Sequence, residues 1–392
     1  MRLRFALLLL VLSPVMGQRP LDYDRSVVSQ VRIDLRELGY PPVDVIPTEE
    51  SAVRALAVGP DGALYGVTSG KRSHLFVLHP AHGYVQPLGY LKGVSTVYNS
   101  LAVSRKGEVY VGSGDKDGHL FRYSPPANED EQPIRVDAPV NVTDLGAPVA
   151  GEGTYALAIS RGSDTIYGVT YPGGQFFSYS VAAGKFHLSG KVAENPAPGE
   201  NFEQEKSIGR AIIVGDNGSA YTSGENGALF RAAGTSFQKL PVSLPGVPGR
   251  EPFQRVDAWT AGPCGTLYGG TSDGYLFRFD PERLTIENLG KPLNQYRIRG
   301  LAFSRNGKLY GAGGDDDEMA RLFSYDPARG AYELLGMIDV NRRPFYTWQA
   351  YVIGAMAIGL DDIIYLGQAE RRSKLYLYYP GPPNRAQAHC AK

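Results

Sequence analysis

One pattern recurs seven times along this chain. It reads approximately Ala-Leu-Ala-x-x-x-x-Gly-x-Leu-Tyr-Gly, then a short polar loop, then Leu-Phe-x-Tyr-x-Pro. The tyrosine of its Leu-Tyr-Gly core falls at Tyr65, Tyr110, Tyr167, Tyr221, Tyr268, Tyr310 and Tyr365. In the first unit, residues 55–58 read as a strand, Asp61-Gly62 as a tight turn and 64–67 as a second strand. Residues 75–78 and 84–88 read as a third and a fourth. The turns Asp61-Gly62, Lys106-Gly107, Asn217-Gly218 and Asn306-Gly307 put glycine where the chain reverses, because such hairpins need positive φ.

A repeat of ~40–50 residues made of short strands and glycine turns is the mark of a propeller blade. The expected fold is therefore all-β: a seven-bladed β-propeller of four-stranded antiparallel blades. The first strand of each unit alternates small and large side chains. The large position is Leu56, Leu101, Leu157, Ile212, Trp259, Leu301 and Met356. The small positions, those of Ala55 and Ala57, are mostly alanine, with Ser100, Thr260, Gly300 and Ile213 as departures. This suits sheets that crowd near an axis. The last unit stops after its third strand at 375–379. Residues 31–39, ending Glu37-Leu38-Gly39, match the fourth-strand patterns Glu287-Asn288-Leu289-Gly290 and Glu333-Leu334-Leu335-Gly336. An N-terminal strand is thus expected to complete the last blade and remove an open sheet edge. The chain resembles the broad superclass of secreted seven-bladed propellers. It lacks the Trp-Asp pair of WD40 blades and the paired glycines of kelch blades. The resemblance implies an architecture and leaves the function to the site.

Arg2 and Arg4, the apolar run 5–12, Pro14 and Gly17 read as a signal peptide over 1–17. Residues 18–380 form one propeller domain, 381–392 a tail, and the product is expected to be secreted or periplasmic. No stretch reaches the ~20 apolar residues of a membrane span. Forty basic and forty acidic residues give a formal net charge of zero, which argues against a general nucleic-acid binder. The cysteines are Cys264 and Cys390, and their placement at one face makes a bridge sterically possible.

Functional candidates are the residues that break the repeat. The shared tyrosines read as structural. Strand directions put the second-to-third and fourth-to-first connections on one face, and the latter are long and unlike one another; binding favours such loops. The residue entering the first strand is Arg54, Asn99, Tyr155, Arg210, Asp257, Arg299 and Gly354 in the seven units. Six of these are polar, and three arginines oppose one aspartate. A guanidinium fork binds carboxylate or sulfate bidentately, so the ring reads as a site for an acidic poly- or oligosaccharide; its bland reading is a polar water channel. Arg342, Arg343, Phe345, Tyr346, Trp348 and Tyr351 form a second cationic and aromatic cluster, able to stack on sugars or simply to plug a loop. The connection carrying Asn201, Phe202, Glu203, Glu205 and Lys206 reads as a further wall. His74 and His119 open the third strand in adjacent units and could move a proton. No cofactor or complete metal set is expected, although Asp315, Asp316 and Asp317 form an acidic loop able to hold Ca²⁺.

Three functions compete. A polysaccharide lyase would use Arg210 and Arg299 to neutralise a uronate and Tyr155 or His119 as base, with Arg54, Asn99, Asp257, Arg342, Arg343, Trp348 and Tyr351 holding substrate. A tyrosine base needs its pKa brought from ~10 toward 7, about 4 kcal/mol of differential stabilisation. A non-catalytic glycan- or protein-binding module would need no base. A lactonase or oxidoreductase with a central metal or quinone ranks last, because one carboxylate among arginines suits a divalent cation poorly. Deleting residues 18–40 is expected to cause aggregation or a lower melting temperature, read by size-exclusion chromatography and thermal unfolding. A truncated chain that stays monomeric with an unchanged melting temperature would refute the closure.

Overall fold

The alternation of small and large side chains on the innermost strands lets seven sheets share one axis. The computed structural model describes residues 46–80, 85–160, 162–193, 207–314, 318–342 and 346–382, with 340–348 described at the backbone only. Six sheets have four strands in simple antiparallel order, and a seventh has three described strands. The innermost strands are Ala52–Val58, Leu101–Val103, Gly153–Ile159, Ile213–Val214, Val256–Ala261, Ile298–Phe303 and Ile353–Ile358. Blade 7 continues with Ile364–Gln368 and Leu375–Tyr378. The N-terminal segment assigned to its fourth strand lies outside the described residues, as do the signal-peptide residues.

Burial falls between the sheets. Among the described residues there are seven apolar clusters, one at each junction of neighbouring blades. One of them joins Val53, Leu64 and Phe76 of blade 1 to Tyr365, Leu375 and Leu377 of blade 7, so the circle closes by packing. Polar contacts reinforce that seam: Arg371 Nη2 meets Glu49 Oε1 at 2.6 Å, and the Ser373 N–H donates to Ser51 Oγ at 3.1 Å.

The Leu-Tyr-Gly core now has a physical reason. The glycine lies under the aromatic ring of the third strand. A Cβ on Gly66, Gly168, Gly269 or Gly311 would sit 2.0, 2.2, 2.2 or 2.3 Å from the ring of Phe76, Phe177, Phe277 or Phe323. Where the position is Val111, Thr222 or Leu366, its partner in the ladder is still an aromatic residue, Phe121, Phe230 or Tyr376. All seven core tyrosines are buried. Two of their hydroxyls are held by polar neighbours: Tyr65 donates to Glu129 Oε2 at 2.8 Å, and Asn306 Nδ2 donates to the Tyr310 oxygen at 2.8 Å. Burial pushes the Tyr310 hydroxyl up to about 12. These tyrosines are structural, as the sequence suggests.

Between blades 6 and 7 the chain forms a hairpin, Asp339–Arg342 and Tyr346–Gln349, with Arg342 opposite Tyr346 and Val340 opposite Trp348. Cys264 is disulfide-bonded; the only other cysteine in the sequence, Cys390, lies outside the described residues. Among the described residues no helix is long and apolar enough to cross a membrane. Replacing Gly311 by alanine is expected to cost about 1–3 kcal/mol, because the Phe323 ring must move. Gly162, which has nothing near its Cβ position, should tolerate alanine within about 0.5 kcal/mol. Urea midpoints for the two variants check this, and equal midpoints would contradict the account of the repeat.

Candidate functional site: an arginine-lined funnel

The seven ring positions converge because of a defect repeated in the innermost ladders. In five blades the pairing of first and second strands skips one residue of the first strand. The skipped residues are Arg54, Tyr155, Asp257, Arg299 and Gly354. Each is the extra residue of a β-bulge, which bends the strand and re-aims a side chain. In the other two blades the ring residue precedes the short first strand. Asn99 there bridges Ala156 of the next blade in parallel, and the Arg210 N–H donates to the Val256 carbonyl at 2.9 Å.

All seven positions, with Tyr98 and Arg297, line one cavity of about 50 Å³. A water molecule needs roughly 10–15 Å³ of such space. The cavity therefore has room for a carboxylate or a few waters, and a whole sugar ring would have to stay above it. Four arginines (Arg54, Arg210, Arg297 and Arg299) and one carboxylate (Asp257) face this space.

Asp257 has a side chain only 1% exposed and uses both oxygens on guanidinium groups. Arg255 Nε donates to Oδ1 at 3.1 Å and Arg297 Nε to Oδ2 at 2.7 Å. Burial alone would raise the Asp257 pKa. The charges of Arg297, Arg255 and Arg210 outweigh it and hold the carboxyl well below its usual range. Burial pulls the Arg297 guanidinium below its ordinary value; Asp257 opposes this, while Arg210 and Arg255 add to it. The Arg297 backbone has φ 67°, in the left-handed region that non-glycine residues rarely adopt. Its Nη2 is buried with no hydrogen-bond partner among the described residues.

Across the funnel, Arg210 Nε donates to the Tyr155 oxygen at 2.6 Å. The Tyr155 ring is buried, edge-on to Tyr98 at 4.8 Å and stacked on Tyr171 at 5.2 Å. Burial disfavours the charge of Arg210, but Tyr155 and Asp257 more than compensate and raise its pKa.

The structure thus brings together Arg54, Asn99, Tyr155, Arg210, Asp257 and Arg299. It does not bring His119 to them: that side chain is exposed and pairs with Asp144 on the outer strand of blade 2, Nδ1 to Oδ1 at 2.7 Å. His74 is fully buried against Glu50, Nε2 to Oε2 at 2.6 Å, and burial lowers its pKa. Tyr351 is exposed and lies outside the funnel lining; its N–H donates to Glu370 Oε1 at 2.6 Å. Arg342 and Trp348 lie on the hairpin described above. Arg343, the acidic residues Asp315, Asp316 and Asp317, and the wall at 201–206 lie outside the described residues.

Sequence reasoning passed over Arg255 and Arg297. Both stand two residues before a ring position, where the other five units have Ala52, Val97, Gly153, Ile208 and Val352. Two arginines in an otherwise apolar column were the available signal.

No protein-family model matches this chain, and no curated protein matches it either. Solved structures do. Virginiamycin B lyase from Staphylococcus aureus is similar with a TM-score of 0.60 at 12% identity, over 84% of this chain and 95% of that one. The periplasmic gluconolactonase of Pseudomonas aeruginosa is similar with a TM-score of 0.54 at 18% identity, over 74% and 85%. At such identities the likeness shows the seven-bladed fold alone.

Asp257→Asn should destabilise the protein by about 3–5 kcal/mol at pH 7, since it leaves buried guanidinium groups without their counter-charge. The pH dependence has a definite sign. A carboxyl with a depressed folded pKa stabilises fully above its unfolded value of about 3.9, and that contribution is lost as pH falls toward the folded value. The gap between the two proteins in denaturant unfolding is therefore expected to be constant from pH 5 to 7 and to narrow below about pH 4. A gap that widens on acidification would contradict the assignment.

Proposed function

We propose that this protein is exported and recognises an acidic carbohydrate by drawing one anionic group, a carboxylate or sulfate, into the arginine funnel. The observation that carries this reading is Arg297 Nη2, a charged donor buried beside the cavity with no acceptor among the described residues. A buried unsatisfied charged donor is costly, and an anion in the cavity would satisfy it. Three further guanidinium groups share the same lining against one already-occupied carboxylate, so the field there favours negative charge. The same occupancy argues against a divalent cation, because both Asp257 oxygens are committed to arginines.

Isothermal titration with acidic oligosaccharides and their carboxyl-reduced, neutral counterparts tests the reading. Only the acidic forms should bind. Arg297→Met should lose about 1.5–3 kcal/mol, the range for a charge-assisted hydrogen bond, or roughly 10- to 150-fold in affinity. Equal binding of the neutral forms would overturn it.

A second reading, β-elimination, is favoured by the Arg210–Tyr155 hydrogen bond, which sets a guanidinium donor on the tyrosine oxygen. The tyrosine oxygen would take the proton from C5 of a uronate, whose carboxylate the arginines neutralise. The C4–C5 double bond would then form as the C4–O bond breaks and its oxygen is protonated. Unsaturated products absorb near 232 nm. Turnover that disappears in Tyr155→Phe while binding persists would support the lyase, and binding of acidic sugars without any absorbance change would favour the non-catalytic module.

A further inference from the structure

We infer that the rim between blades 5 and 6 carries a second anion subsite, built from Arg250, Lys291 and Tyr296, so that the funnel's ligand is an oligomer of acidic sugars. This rests on the funnel reading above and adds a substrate length to it.

Two connections reach the funnel side by side. One ends in Arg255 and the other in Arg297. Both are fastened to the same turn of blade 5. The Ser272 N–H donates to the Arg255 carbonyl at 2.9 Å, the Ser272 carbonyl accepts from the Arg297 N–H at 3.1 Å, and Ser272 Oγ donates to the Phe253 carbonyl at 3.0 Å. The neighbouring Asp273, fully buried, accepts from the Val247 N–H at 3.1 Å and from Arg250 Nε at 3.3 Å. The rim is therefore a braced ledge.

On this ledge stands Tyr296, 52% exposed. It immediately precedes Arg297, and the left-handed backbone at Arg297 marks where one side chain lies out on the rim and the next lines the funnel. Lys291 Nζ lies 4.7 Å from the centre of the Tyr296 ring, and Arg250 Cζ 5.9 Å from it. Arg250 Cζ also lies 5.5 Å from the Phe253 ring, and 47% of its side chain is exposed. Two cations thus share one exposed aromatic ring. The ring attracts each of them, and Asp273 already offsets part of the Arg250 charge. An anion on the rim would meet the Lys291 ammonium and the partly exposed Arg250 side chain, and the tyrosine edge offers an apolar surface to a sugar ring. Tyr296 and Arg297 are adjacent in the chain, so the ledge borders the funnel lining, and an oligomer long enough to reach both can place an acid group in each. Linking two binding groups in one ligand raises its overall affinity without any further contact.

The test is titration of the full chain with two ladders, oligogalacturonates and heparin-derived oligosaccharides, each from its shortest member to the hexamer. The wild type should bind the longer members of at least one ladder at least tenfold tighter than the shortest. In Tyr296→Ala, and in the double variant Arg250→Ala/Lys291→Ala, that ratio should fall at least fivefold, whereas Tyr296→Phe should keep it. A ratio that is unchanged in the alanine variants, or absent in the wild type while short members bind, overturns the ledge and leaves the funnel standing. A wild type that binds no member of either ladder overturns the funnel reading and the ledge with it.

Discussion

Seven sheets must meet at one axis, and that crowding governs what each position of the innermost strands can be. Between blades the small face of one innermost strand meets the large face of the next, as Ala55 and Ala57 of blade 1 meet Leu101 of blade 2 and Ala302 of blade 6 meets Met356 of blade 7. One layer out, the glycine of Leu-Tyr-Gly yields its side-chain volume to a phenylalanine ring in four blades. With the ladders so tightly specified, an extra residue has nowhere to go except toward the axis. The bulges at Arg54, Tyr155, Asp257, Arg299 and Gly354 exploit this. They turn a rigid scaffold into a ring of side chains presented to one small cavity.

The electrostatics of that ring follow from its composition. Asp257 cannot neutralise the funnel, since its two oxygens are already shared between Arg255 and Arg297. Its effect is to fix those two guanidinium groups in place, a positioning role, while positive charge remains in excess. Arg210 is held by Tyr155 from the other side. A chain with no net charge thus concentrates positive potential at one point, where low-dielectric walls strengthen it.

Much of this was legible in the sequence, and the reasons differ from residue to residue. The blade count and the ring followed from aligning one repeated core, because equivalent positions in a propeller must face the same axis. Arg255 and Arg297 lie outside the ring column: they stand two positions earlier, and there they bind the ring residue Asp257. His119 was drawn into the site by its polarity alone. It opens the third strand from the axis, where side chains meet the outer strand, and there it finds Asp144. His74 holds the same place in blade 1, yet is buried against Glu50, so the position itself carries no shared chemistry. The ledge at Tyr296 could not be read from sequence, because its three residues come from two connections that Ser272 fastens side by side.

The central claim is that the funnel is an anion site. Anomalous diffraction from crystals grown in bromide tests it most directly. The account predicts a bromide ion in the funnel within hydrogen-bonding distance of Arg297 Nη2. A funnel that holds only water, in crystals that bind bromide elsewhere on the surface, would contradict it.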